Sequence, residues 1–384
     1  MQIAIISRCA RTLYIFRRAL ILNATSKAAS VIAMGAGGDG FEERLRAAQI
    51  SFEAVPISFS GFSPLADLRL IFVLWRRFRT LRIDVCHAFT IKPAVFATLA
   101  AALARVPVRI VTITGLGYGF TSAGGWVRGL IEILYRVALR YAHRVYFQNA
   151  QDRELFVSRG LVADEKTRLV AGSGVDLKRF QPAPLPSEQG STPVFLMIAR
   201  LLKDKGVLEY QAAAAELRAR FPDARCLLLG GEDARNPSRL DSTELAVLRS
   251  SPDITLLAEC DDVRAIIAEA DVLVLPSYRE GLPRSLLEGG AMGRALIATD
   301  VPGCRDVVEP GMNGLLVERG NAASLAGAML QMAADPRMIL TFGANAHRIV
   351  TERFDEQNVI DNALASYREL LERHLRDAKS AASN

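Results

Sequence analysis

The sequence predicts an α/β protein of two doubly wound domains, each a mostly parallel sheet with helices on both faces, facing one another across a cleft. Three observations predict it. The chain has 384 residues, too many for one ordinary core. Short apolar, β-rich runs alternate with longer amphipathic segments along most of its length. The stretch QPAPLPSEQGSTP, residues 181–193, is rich in Pro and small polar residues, interrupts that alternation and reads as a linker.

Taken in order, the first half reads as IAII, SVIAM, the helix-like FEERLRAA, FEAVPI, the long segment LADLRLIFVLWRRFRTLR, IDVCHAF and RIVTIT, then a helix WVRGLIEILYRVAL. The second half repeats the logic: VFLMIAR, the helix LEYQAAAAELRARF, ARCLLLGG, DITLLAE, the helix DVRAIIAEA, DVLVLP, a helix from about Pro283, ALIATD and GLLV. Domains are therefore expected over 1–180 and 194–354, joined by the 181–193 linker. Residues 355–384 are expected to form a last helix, turning back toward the first domain, and a frayed tail, DAKSAASN.

Composition narrows the function. Hydrophobic residues make up 50% of the chain and charged ones 23%, which fits well-filled α/β layers and excludes disorder. The net charge of +6 hides an asymmetry: residues 1–180 hold 25 Lys and Arg against 12 Asp and Glu, the remainder 22 against 29. A basic half attracts anionic lipid, phosphorylated substrates or nucleic acid. No nucleic-acid signature accompanies it. Five scattered cysteines, never in a C-x-x-C pair, point to neither a disulfide framework nor a zinc site, and fit the cytosol. No apolar run reaches the ~20 residues that a bilayer requires, so membrane contact is expected to be peripheral.

The chemistry concentrates in the second half. In SYREGLPRSLLEGGAMG, residues 277–293, a strand end leads through a loop bearing Glu280 into a helix whose first turn holds Pro283 and Ser285 and which carries Glu288. A helix N-terminus favours a phosphate, and a carboxylate on either side can accept from sugar hydroxyls. Upstream, ARLLKDKG places Arg200 and Lys205 at the mouth of the same sheet, a guanidinium fork and a point charge able to neutralise a diphosphate leaving group. Metal-ligand spacing is absent, so the expected cofactors are none and the expected metal none. Against this stands the ordinary reading of each residue, a solvated helix glutamate or a surface salt bridge.

Together these residues resemble the retaining family-4 glycosyltransferases of the GT-B fold, known for an E-x7-E motif, an upstream Arg and Lys, and a small-residue hinge, here GSGVD from Gly172 to Asp176. The resemblance covers most of residues 165–350. It implies that Arg200 and Lys205 hold the nucleotide diphosphate, that Glu288 binds the ribose and that Glu280 faces the donor sugar. Backbone near Gly230 and Glu259 would read base and sugar. A departure is that Gly289 and Gly290 follow the second glutamate, where the family usually has Ala-Met; a glycine inside a helix weakens it by about 0.5–1 kcal/mol relative to Ala.

In the first half, VCHAF places His87 just after a strand, where such enzymes carry a histidine facing the donor sugar; a core histidine is the ordinary alternative. TGLGYGFTSAGG, with Thr114, Gly115 and Gly117, resembles a loop of members that extend lipid-linked oligosaccharides, as does SRCARTLYIFRRAL with Arg17 and Arg18; these five are the acceptor-binding candidates. The segment 68–82 mixes Trp75 and Phe78 with five arginines, a composition suited to an anionic membrane surface or to a helix packed on the sheet with solvated arginines. Gly35, Gly37 and Gly40 have G-x-G-x-x-G spacing, which leaves an NAD-dependent oxidoreductase open.

The expectation is thus a retaining, metal-independent transferase moving a hexose or N-acetylhexosamine from a nucleotide donor, UDP above others, to a polyprenyl-diphosphate-linked saccharide in bacterial surface-glycan assembly. Catalytic roles fall to Glu280, His87, Arg200 and Lys205. Its partners would be that donor, that acceptor and an anionic membrane surface, with no nucleic acid, at the inner face of the cytoplasmic membrane. A non-catalytic nucleotide-sugar-binding protein is the other class that the same residues permit.

Overall fold

A computed structural model describes residues 1–27, 29–58, 63–116, 125–186, 192–234 and 236–383. The chain forms two compact units, one of residues 1–173 with 357–384, the other of residues 174–356.

The first unit is built on seven strands: β1 (Gln2–Cys9), β2 (Ser30–Ala36), β3 (Phe52–Ala54), β4 (Val85–Phe89), β5 (Val108–Ile113), β6 (Arg144–Phe147) and β7 (Thr167–Leu169). All pair in parallel, in the order β3-β2-β1-β4-β5-β6-β7. Parallel strands need crossovers that cover both faces, which is why β1 and β4 read as unbroken apolar runs. One face carries α3 (Pro64–Thr80), α4 (Ile91–Leu103), α5 (Gly125–Arg140) and α6 (Ala150–Ser158), whose Leu70, Leu74, Ala97, Ile131, Tyr135 and Phe156 share one core. The other carries α1 (Ala10–Ser26) and α2 (Glu42–Ala47).

The second unit has six strands, β8 (Val194–Ile198), β9 (Arg225–Leu229), β10 (Thr255–Leu257), β11 (Val272–Leu275), β12 (Ala295–Thr299) and β13 (Gly314–Val317), again all parallel, in the order β10-β9-β8-β11-β12-β13. Its helices are α7 (Val207–Arg220), α8 (Ser242–Ser250), α9 (Arg264–Ala268), α10 (Arg284–Ala291), α11 (Cys304–Val307), α12 (Ala322–Ala334) and α13 (Pro336–Arg353). The order reverses between β1 and β4 in the first unit and between β8 and β11 in the second. Ligands of such sheets bind beyond the strand ends at that point.

The chain passes between units at Ser173–Gly174 and again at Glu356–Gln357, not at the Pro-rich stretch. Residues of that stretch belong to the second unit: Arg294, fully buried, donates to the carbonyls of Ala183 and Pro184. Residues 187–191 of the stretch lie outside the described residues. The two passages run side by side, Val175 N–H donating to the Phe354 carbonyl (2.9 Å) and Glu356 N–H to Val175 (3.0 Å).

The last helix, α14 (Glu356–Ser383), includes residues that read as a frayed tail, because the Ala- and Ser-rich end continues the helix without a breaker. Its Ile360, Ala363, Leu364, Tyr367 and Leu370 complete the core under α1 and β1. Polar groups fasten it as well. Arg144 forms a fork onto Glu369 (2.9 and 3.0 Å), and the Tyr146 hydroxyl meets Ser366. Tyr367 lies 2.6 Å from Nδ1 of His87, whose Nε2 is 2.8 Å from the Thr112 hydroxyl.

In α10 the two glycines after Glu288 serve packing. A Cβ at Gly289 would stand 2.4 Å from Cγ of Leu273, and one at Gly290 2.8 Å from Cγ2 of Val350. The helix is eight residues long and lies close on β11 and α13 because those positions have no side chain. Gly289→Ala should therefore lose stability by about 1–3 kcal/mol through overpacking, against a gain of under ~1 kcal/mol in helix propensity. A urea titration in which the variant matches or exceeds wild type would contradict this close approach.

His87 is neutral in the folded chain: burial, aided by the Arg17 charge, holds its pKa well below 6.5. The unfolded chain takes up a proton below about pH 6.5 that the fold refuses, so stability is present above that pH and falls as pH drops, by up to ~1.4 kcal/mol per pH unit for this residue. His143, pushed down to about 4 by burial and then Arg109, acts with the same sign. Urea midpoints at pH 7 and pH 5 check the direction. Tyr367→Phe, which leaves a buried imidazole nitrogen without a partner, should cost about 1–3 kcal/mol.

Candidate active site

The second unit gathers its charged groups where the strand order reverses. β8 ends at Ile198 and runs on through Arg200 into a 3-10 turn, Lys203–Lys205, before α7 begins. Its neighbour β11 ends at Leu275 and runs on through Ser277, Tyr278 and Glu280 to α10. Because these strands are adjacent and parallel, their C-terminal loops emerge together.

Backbone bonds hold the two loops in register. Tyr278 N–H donates to the Asp204 carbonyl (2.8 Å), which the Ser277 hydroxyl also approaches (3.2 Å). The Thr299 hydroxyl donates to the Ser277 carbonyl. The Tyr278 hydroxyl donates to Glu209 at 2.6 Å from the first turn of α7; that carboxylate, with burial, pushes the phenol up to about 12. On the far side, Asp204 N–H donates to the Ser238 hydroxyl (2.9 Å).

This scaffold brings Lys205 and Glu280 together: Nζ lies 2.6 Å from Oε1, with the side chains 20% and 14% exposed. An ammonium has three donors, so one carboxylate contact leaves capacity for an anion. Glu288, on α10, is half-buried, its side chain 12% exposed, and pairs with Arg284 one turn earlier, Nε to Oε1 at 2.7 Å. Burial raises its pKa while Arg284 opposes the rise. Ser285 stands in the first turn of the same helix, whose N-cap, Pro283, supplies no side-chain acceptor, so the leading amides carry no side-chain cap. Arg200 pairs with Asp233 (Nη1 to Oδ2, 2.6 Å) and is 45% exposed.

Gly230 follows β9, and a Cβ there would fall 1.8 Å from the Ala199 carbonyl oxygen, so the ends of β8 and β9 meet backbone to backbone. Glu259 lies against Gly231, its Oε2 2.6 Å from where a Cβ would stand. Sequence reasoning missed Arg284, Asp204, Tyr278, Glu209 and Asp233. The Arg284-to-Glu288 spacing of four on a helix was a usable signal. The partners of Arg200 and Tyr278 lie 33 and 69 residues away, and no local pattern marks them.

In the first unit two readings need correction. His87 is not beyond a strand end but in the middle of β4, paired with Ile5 and Ile110 and 2% exposed. Its ring stacks on Phe89 (4.1 Å) and both nitrogens are engaged, which makes it a core histidine. Arg17 is likewise buried, its guanidinium 3.9 Å above the Phe89 ring, because the α1 face that carries it turns inward. Arg18 lies against its own helix neighbour, Nη1 donating to the Tyr14 hydroxyl at 3.0 Å. Thr114 and Gly115 follow β5, with Gly115 at φ +122°; Gly117 lies outside the described residues.

The glycine-rich turn after β2 also departs from a dinucleotide site. Its amides are taken by the chain's own carboxylates: Gly38 N–H donates to Glu42, Phe41 N–H to Asp39, and the Arg11 amide to Asp39 as well. A pyrophosphate would have to displace both acids. Among the described residues, no group of three or more His, Cys, Asp and Glu is placed to hold a metal ion, and no helix is long and apolar enough to cross a membrane.

Comparison with known proteins agrees with this architecture. Residues 192–335 match the family model described as glycosyl transferases group 1, and residues 19–172 match that of the glycosyl transferase 4-like domain. The chain is 28% identical, over 96% of its length and 98% of the relative's, to the N,N'-diacetylbacillosaminyl-diphospho-undecaprenol alpha-1,3-N-acetylgalactosaminyltransferase of Campylobacter jejuni. It is 23% identical, over 80% of its length and 81% of the relative's, to the UDP-Gal:alpha-D-GlcNAc-diphosphoundecaprenol alpha-1,3-galactosyltransferase of Escherichia coli. Among solved structures it resembles the sucrose-phosphate synthase of Thermosynechococcus elongatus, with a TM-score of 0.80 and 20% identity over 97% of this chain and 100% of that one. With two parallel α/β units and a family match across most of both, the chain belongs to the 4-like, group 1 glycosyltransferases of the GT-B fold.

Proposed function

We propose that this glycosyltransferase moves a hexose or N-acetylhexosamine from a nucleotide donor, UDP above others, to a saccharide carried on a polyprenyl diphosphate, in the assembly of a bacterial surface glycan. The observation that carries the donor half is the Lys205–Glu280 contact at the β8/β11 reversal, beside the uncapped start of α10. The acceptor half is supported by the printed activities of the two relatives, both of which act on undecaprenol-linked diphospho-sugars. Such a lipid places the reaction at the inner face of the cytoplasmic membrane.

In this reading Lys205, Arg200 and the leading amides of α10 near Ser285 neutralise the diphosphate as the bond from C1 of the sugar to phosphate breaks. The acceptor hydroxyl attacks the same face, and its proton goes to the departing phosphate oxygen, so configuration is retained. Glu280 orients the donor ring and holds Lys205. Glu288, kept in place by Arg284, accepts from the ribose hydroxyls, while Gly230 and Glu259 lie where the base and sugar would be read. Thr114 and Gly115 are the acceptor-side candidates of the first unit. The two cations take the role that a divalent ion plays elsewhere, so no metal enters the step.

The experiment is transfer by purified protein from a panel of nucleotide sugars to a short-chain polyprenyl-diphosphate saccharide, with and without EDTA, read by product mass and by the anomeric proton coupling. A product of inverted configuration, or activity abolished by EDTA and restored by a divalent ion, would overturn the mechanism. Donor bound without any transfer would leave a nucleotide-sugar-binding protein. Lys205→Ala should lower kcat by roughly 10²–10³-fold with little change in acceptor KM. Glu288→Ala should weaken UDP binding by about 10–100-fold in calorimetry, the worth of a charged hydrogen bond.

A further inference from the structure

The edge of the first sheet where its strands begin, opposite the ends beyond which ligands of such sheets bind, carries a group of cations. Arg109 stands at the start of β5, His143 just before β6 and Lys166 just before β7, and parallel neighbouring strands bring the three to one place. Arg140 joins them from the end of α5, Arg373 and His374 from α14. Arg109, His143 and Lys166 are half-buried, and among the described residues none of Arg109, Arg140, Lys166 and Arg373 forms an ion pair. The acids of this edge are spent elsewhere, Glu369 on Arg144 (2.9 Å) and Asp164 on Arg153 (2.5 Å), while Glu165 beside Lys166 is exposed. Cations withdrawn from water are ordinarily paired.

The hydrogen bonds of His143 point to what is missing. Its Nδ1 faces the Arg109 amide at 3.1 Å, and its Nε2 faces Nη2 of the Arg109 guanidinium at 3.0 Å. A neutral imidazole has one acceptor nitrogen, whereas an amide and a guanidinium only donate. The amide is fixed by the strand, so Nδ1 accepts from it and Nε2 carries the proton. Nε2–H and Nη2–H are then two donors side by side with no acceptor between them. The ring is neutral at pH 7, since burial and then the charges of Arg109 and Lys166 push its pKa down to about 4. Carbonyls hold the cations in place: that of Tyr141 accepts from Nε of Arg109 (2.7 Å), and that of Arg140 from Nζ of Lys166 (2.8 Å).

We propose that this edge is a phosphate-binding site, in which Nε2–H of His143 and the Arg109 guanidinium donate to one phosphoryl group and Lys166, with Arg140 and Arg373 at the rim, supplies the countercharge. A phosphoryl group fits because it offers several acceptor oxygens to convergent donors and a double negative charge to a region of unpaired positive ones. Half-burial of the two donors favours inorganic phosphate or a small phosphomonoester over a flat charged surface. The site lies in the first unit, away from Lys205 and Glu280, and does not rest on the transfer reading. Arg373 belongs to α14, so the bound group joins the last helix to the edge of β5 and β6.

The test is a titration of the full chain, labelled with nitrogen-15 at histidine, with inorganic phosphate at pH 7 and constant ionic strength set by chloride. Before addition the His143 ring should show the Nε2–H tautomer. Phosphate should move its nitrogen resonances with a Kd of about 1 mM or tighter and leave those of His87 and His347 in place. Lys166→Gln should weaken binding about tenfold, and phosphate should raise Tm less in that variant than in wild type. Lys205→Ala should bind phosphate at His143 as wild type does, which separates this result from any failure of the donor site. Glycerol 3-phosphate should move the same resonances. Movement by vesicles of phosphatidic acid without movement by glycerol 3-phosphate overturns the small-molecule source. Resonances that stay in place at millimolar phosphate, an Nδ1–H tautomer, or equal affinity in Lys166→Gln overturns the site itself.

Discussion

One backbone hydrogen bond, from Tyr278 N–H to the Asp204 carbonyl, ties together the loops that leave β8 and β11. Those strands are neighbours because the crossover direction reverses between them, so the bond joins two segments that the sheet has already brought to the same edge. Lys205 follows Asp204 by one residue and Glu280 follows Tyr278 by two, which is how an ammonium and a carboxylate 75 residues apart come to 2.6 Å. Remove the reversal and the two charges would leave opposite flanks of a helix-covered sheet. The chemistry of the site is in this sense a property of strand order.

The same dependence explains what could be read without coordinates. The loop after VLVL and the loop after VFLMI announce themselves, since apolar runs ending in charged, glycine-bearing segments are local patterns. Glu288 and its helix were legible for the same reason, and the brevity of α10 was not, because Leu273 and Val350, which press against its glycines, are distant in sequence. His87 misled for a related cause. Its residue type and its place after an apolar run fit a site, but Thr112 and Tyr367, which engage its nitrogens, lie 25 and 280 residues away. Arg17 was misread because six of the residues from Arg8 to Arg18 are basic or aromatic, and helical phase alone decides which of them turns inward.

Buried polar groups divide the two units by purpose. In the first, His87, Tyr146, Thr112 and Ser366 spend their hydrogen bonds on one another and secure packing. In the second, Ser277, Tyr278 and Asp204 spend theirs on fixing two loops, and leave the charged ends of Lys205, Glu280 and Glu288 at the rim. Rigid loops of this kind lower the reorganisation that a charged ligand demands on arrival.

Helix α14 has a consequence for how the protein is made. The core beneath β1 and α1 is closed by Ile360, Leu364 and Tyr367, so the unit of residues 1–173 lacks part of its interior until residues 360–370 leave the ribosome. The unit of residues 174–356 has its whole sequence available sooner and can mature while its predecessor waits. Synthesis order and completion order of the two units are therefore reversed, and a truncation before Tyr367 injures the unit that holds β1 rather than the unit that precedes the cut.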